Sequence, residues 1–288
     1  MKPTKRDRRE KRVLPTDYLE PLVAALGDAE TMAKVREEEL LPVAYQLALY
    51  FGVRRDPATS AVLGDLYERL LTDVTVDERA GLIDDLAASI ASGATTVLAL
   101  LPVLQRERDA ALVRTAALVF AMRMAPTAGD LMTGPRMVRT LIEHAEPDGV
   151  RAGLAGALLA LGDLRVKPLL DGLWGSLPPA AIDALLALPR PMATRLEVEF
   201  LLAGLEDAEP VRFARIAESL VRLARESEGM ILELERELPA GKAGEALTVL
   251  REFTPASLGE TLAERFAGLE RRAEPGAMTA VSAAFGRS

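Results

Sequence analysis

The stretch that decides the fold runs Val150-Arg151-Ala152-Gly153-Leu154-Ala155-Gly156-Ala157-Leu158-Leu159-Ala160-Leu161-Gly162-Asp163 and continues through Val166, Leu169, Leu170 and Leu173. Val150, Leu154, Ala157, Leu158 and Leu161 share one helical stripe, and Gly162-Asp163 reads as a helix stop followed by a turn. The later residues resume the stripe, so two consecutive helices are expected here. The opening Pro147-Asp148-Gly149-Val150-Arg151 is echoed by Asp109-Ala110-Ala111-Leu112-Val113-Arg114 upstream and by Asp207-Ala208-Glu209-Pro210-Val211-Arg212 downstream. A helix-opening motif that recurs every few tens of residues is the signature of stacked helix pairs.

Extending that period outward divides the chain into about seven helix pairs, starting near residues 34, 76, 109, 147, 178, 208 and 240, after a short capping helix near 17–27. The reading is all-α. Hydrophobic residues make up 49% of the 288-residue chain but aromatics only 4%, so Ala and Leu carry the packing, which suits helix-on-helix layers. No β-branched run sits between hairpin turns. The helix opening the third pair has Val113, Ala116, Ala117, Phe120 and Met124 on one stripe and Leu112, Leu118 and Val119 on its other faces. It should be buried on several sides, as stacking between repeats requires. Asp148, Asp163 and Asp207 stand where a carboxylate caps a helix, and Pro210 suits a first turn. Pro42 and Pro102 fall inside helical patterns and should kink or break them.

These motifs resemble the HEAT-repeat family, and more closely its short-repeat branch, the one also found in phycobilisome lyases. Residues 150–173 look like one full repeat, and Leu205 to Arg212 resembles a repeat-to-repeat junction. The resemblance is clearest over residues 109–225. It implies a right-handed α-α superhelix of the HEAT/armadillo type spanning residues 16–288 as a single domain. The motif Val would pack inward, and Arg114, Arg151 and Arg212 would tie neighbouring repeats together. The second helices would line a concave face where partners dock, which implies a protein-interaction scaffold rather than an enzyme.

On that assumption the second helices present Arg136, Arg139, Thr140 and Glu143 on one face, Lys167, Asp171 and Trp174 on the next, then Arg195 and Glu199. Each set follows i, i+3, i+4 or i+7 spacing. Trp174 is the single Trp of the chain. It reads either as a binding anchor or as filler toward the next repeat through Pro178, Pro179 and Leu185. As an anchor, its truncation to Ala should weaken a partner about thirtyfold and leave thermal stability nearly intact. The expected partner surface comprises Arg136, Arg139, Lys167, Asp171, Trp174 and Arg195, and its ligand is a protein or peptide.

Charge is distributed unevenly. Residues 2–12 hold seven bases against Asp7 and Glu10, a formal +5, while the remaining 28 bases and 41 acids give the rest of the chain −13. Residues 1–15 read as a disordered basic tail. An acidic body repels phosphates, yet residues 110–204 balance nine bases against nine acids, which leaves a DNA glycosylase-like nucleic-acid reading as the alternative. A bilin-lyase-type chaperone is a further alternative, on repeat similarity alone.

Other chemistries lack their residues. With no Cys and a single His, His144, there is no thiolate site and no paired-His metal cluster, and a reducing, cytoplasmic location is expected. No Gly-x-Ser-x-Gly elbow, Walker loop or dinucleotide fingerprint is present. Paired carboxylates such as Asp84-Asp85 read as solvated faces. No cofactor or metal is expected. The longest apolar stretches, such as Ala152 to Gly162, fall short of the ~18–20 residues that span a bilayer.

Overall fold

The computed structural model describes residues 16–128, 130–188 and 194–206, together with 216, 219 and 220. Among these residues every regular element is a helix, so the all-α expectation holds. The repeats expected near 208 and 240, with Asp207, Pro210 and Arg212, lie outside the described residues, as does the basic tail. The chain packs as two compact units that divide between Glu107 and Arg108.

The first unit contains α1 (Thr16–Leu26), α2 (Ala29–Ala33), α3 (Glu37–Arg54), α4 (Pro57–Asp73), α5 (Val76–Ala91), a 3-10 turn (Val97–Leu100) and α6 (Leu101–Leu104). Polar side chains set the helix starts. Asp56 accepts from the backbone N–H of Ala58 and Thr59, with Pro57 at the first helical position, while Thr75 and Glu78 cap each other across the first turn of α5. The core forms where α3 packs on α4, α5 and the 3-10 turn, with Leu40, Leu47, Leu63, Leu66, Tyr67 and Leu86 fully buried. At Gly52 a Cβ would overlap Thr95 and Ala99, and the hydroxyls of Thr95 and Thr96 donate to the carbonyls of Leu49 and Gly52 at 3.0 and 2.7 Å. Only Gly allows the turn to lie that close.

Pro42 does not break its helix. It stands in the second turn of α3, where the carbonyl it deprives of a partner belongs to solvent-exposed Glu38, so the lost bond falls at the exposed start of the helix and not in its buried part. Pro102 opens α6 directly after the 3-10 turn, and there the expected interruption is seen.

The second unit begins with α7 (Ala110–Ala128), followed by α8 (Thr133–His144), α9 (Asp148–Ala160), a 3-10 turn (Leu164–Val166), α10 (Lys167–Leu170), α11 (Leu173–Ser176), α12 (Pro179–Ala187) and α13 (Arg195–Glu206). Its centre is α9, packed by α7, α8, α12 and α13 and buried almost throughout from Val150 to Leu159. Small residues make this possible. A Cβ at Gly153 would come within 2.8 Å of Val113 Cβ, and one at Gly156 would meet the Arg114 stem at 3.2 Å. Gly134 lies so close to the Ala121 backbone that any side chain would overlap it, which seats α8 on α7.

Of the described motif residues, both Val are buried and Arg151 bridges to the preceding helix. Val113 and Val150 are buried, Asp109 accepts from the N–H of Ala111 at 2.8 Å, and Arg151 Nε donates to the Ala145 carbonyl at 2.6 Å, tying α9 to the end of α8. Asp163 caps the following turn through Arg165 N–H. Asp148, by contrast, lies inside α9 and pairs with Arg151 at 3.7 Å instead of capping, because Pro147 occupies the cap position. α7 also departs from expectation: it buries Val113, Ala117, Phe120 and Met124 against α8 and α9 but leaves Val119 and Met122 exposed.

Candidate functional site

The second helix expected after Gly162 is broken. Gly162 has φ +65° and ends α9 as read from the sequence, but Gly172, at φ +76°, interrupts the next helix and divides it into α10 and α11. Lys167, Asp171 and Trp174 therefore do not share one continuous helical face. The turn brings them together differently, around an open pocket of about 90 Å³.

One wall of the pocket consists of Lys167, Leu170, Asp171 and Trp174, and the other is α13, through Leu196, Glu199, Phe200 and Ala203. Trp174 joins the walls. Its ring stacks on Phe200 with centroids 4.6 Å apart and planes 19° from parallel, and its Nε1–H donates to the Phe200 carbonyl at 2.8 Å. The far edge of the indole presses on Gly204, where a Cβ would overlap Cε2 and Cζ2. Half-buried Trp174 is thus both packing and pocket wall, so its truncation to Ala would cost stability as well as any affinity.

Charge at the pocket centres on Glu199. Lys167 Nζ donates to its Oε2 at 2.5 Å and Arg195 Nε to its Oε1 at 3.0 Å. Burial alone would raise this carboxyl, but the two cationic hydrogen bonds outweigh it and hold Glu199 below the usual carboxylate range. Asp171, exposed on the turn, makes no side-chain ion pair or hydrogen bond among the described residues.

Of the six residues expected to form the partner surface, Lys167, Asp171 and Trp174 line this pocket and Arg195 supports it through Glu199. Arg136 and Arg139 do not line it. They share a face of α8 as their spacing implies, with exposed Arg136 paired to Asp130 at 3.2 Å and Arg139, its side chain only 22% exposed, paired to Glu143 at 3.1 Å. His144 ends α8 with Nδ1 2.8 Å from the Thr140 carbonyl, a helix-end contact.

No family model, curated protein or solved structure matches this chain. None of these comparisons identifies a HEAT-repeat family.

Sequence reasoning missed Leu170, Leu196, Phe200 and Ala203 as pocket walls, because apolar residues at helical spacing carry no mark that separates core from a lined depression. The available signal was Asp171-Gly172, a turn dipeptide inside a short helical pattern.

Proposed function

We propose that the protein is a non-enzymatic adaptor that holds a protein or peptide partner in the cytoplasm, and that its helix pairs form a short-repeat HEAT-type superhelix with the pocket on its inner face. Support for the repeat reading is local. In the second unit α7 packs on α8 and α9, and α9 on α12, so neighbours in sequence are neighbours in space. The pocket walls come from the segments that would be second helices, where partners of such arrays dock.

The observation that carries the functional reading is the pocket's size and chemistry. At about 90 Å³ it holds one side chain, far below the ~300–1,000 Å³ of small-molecule sites. Its one carboxylate between cations is held ionised and below its usual pKa, the opposite of the tuning a general acid at neutral pH needs. An aromatic wall with a polar rim suits a protruding residue of a partner.

The test uses Ala203→Phe, which fills the pocket from an exposed position on α13. Proteins captured from the source cells by the full-length wild type and lost by the variant, at unchanged thermal midpoint, support the reading. An identical captured set contradicts it. Duplex DNA bound tightly at low salt and released steeply at moderate salt would support the nucleic-acid alternative instead.

A further inference from the structure

The same pocket, taken as the docking point above, has two cations and two carboxylates about it, Lys167, Arg195, Glu199 and Asp171, of which Asp171 stands apart from the other three. Lys167 and Arg195 are both engaged by Glu199, so the local cations already have an anionic partner. Asp171 has none among the described residues, and it stands on the exposed turn beside Trp174. The pocket thus offers an apolar, aromatic-walled cavity of one side chain's volume with an uncommitted carboxylate at its mouth. The segment that builds the pocket, residues 110–204, is formally neutral, so a preference for a cation rests on Asp171 itself.

From this juxtaposition we propose that the pocket captures a basic side chain, Arg or Lys, from an extended segment of a partner protein. The aliphatic stem lies along Trp174 and Ala203, and the cationic head pairs with Asp171. Long basic side chains are built for this arrangement, since they bury their methylenes along apolar surface while keeping the charge at a wet rim, and a cation near an indole face is attracted by the ring quadrupole. An acidic guest would meet Asp171 as a like charge, and a purely apolar guest would leave that carboxylate unused.

Trp174, the single Trp, makes the test site-specific, because intrinsic tryptophan emission reports on the pocket wall alone. The full-length protein is titrated at low salt with three blocked tripeptides, acetyl-Gly-Arg-Gly-amide and its Leu and Glu counterparts. The expected result is a saturable emission change with the Arg peptide, in about the millimolar range, that is weakened by salt. Asp171→Asn, an exposed substitution that leaves the fold intact, should weaken the Arg peptide about two- to fivefold. Tighter binding of the Leu or Glu peptide, or an Asp171→Asn variant that binds Arg as well as wild type does, overturns the basic-residue assignment and leaves the docking pocket standing. No saturable change with any of the three overturns both. A full-length variant with the seven bases of residues 2–12 changed to Gln addresses the remaining occupant. Unliganded emission that differs from wild type would place the chain's own basic segment in the pocket and overturn the partner assignment.

Discussion

Trp174, Glu199 and Gly204 together define what one residue does here. The indole lies flat on Phe200 and against Gly204, so Gly204→Ala forces the ring out of its seat and should destabilise the protein by about 1–3 kcal/mol, read as a lowered thermal midpoint with red-shifted tryptophan emission. An unchanged midpoint and spectrum would mean that the ring is not docked on α13. Glu199 has its folded pKa depressed below 4.5, so it contributes stability above that pH and loses the contribution as pH falls through the depressed value. Wild type should therefore resist urea better than Glu199→Gln at pH 7, and the difference should shrink steadily as pH falls below the ordinary glutamate range. A gap that does not change with pH would point to packing rather than charge. At this scale the sequence made Lys167, Asp171, Trp174, Arg195 and Glu199 legible, since charged and aromatic residues stand out. It hid Phe200 and Ala203, whose role depends on which neighbour Trp174 leans against.

Among elements, α9 was readable from the Gly162 stop after it, and α5 begins at Val76, where the second pair was expected. The break at Gly172 was not read, because four apolar positions at helical spacing concealed a left-handed Gly. Glycines in two helices show how packing overrides propensity. Gly81 is exposed in the middle of α5, and a Cβ added there would meet nothing within 4 Å, so Gly81→Ala should stabilise by about 1 kcal/mol through helix propensity alone. Gly153→Ala gains the same propensity, yet its Cβ would meet the Ala110 carbonyl at 2.7 Å and Val113 Cβ at 2.8 Å, so it should destabilise by about 1–3 kcal/mol. Chemical denaturation of the two variants should move in opposite directions. Two shifts of the same sign would mean that α9 does not press on α7 as closely as the contact implies.

Across the full chain, a superhelix of about seven pairs is the reading carried by the repeated Asp/Pro-Val-Arg motif, and the all-helical units are what it requires locally. A compact globule of 288 residues has a radius of gyration near ~19 Å, so solution scattering should give a clearly larger value for a solenoid. A value at the compact limit would remove the superhelix and leave two helical units. Docking of a partner protein at the α10–α13 pocket is the proposal on which the functional reading stands or falls, and site-specific photo-crosslinking probes it at the pocket itself. A photoreactive amino acid is placed at Ala203 in the full-length chain, with Gly81 on α5 as an exposed control, and both are irradiated in the source cells. The expected result is a discrete adduct from position 203, absent from position 81, whose crosslinked partner segment contains Arg or Lys. No adduct at 203, or the same adducts from both positions, would rule out docking at this pocket.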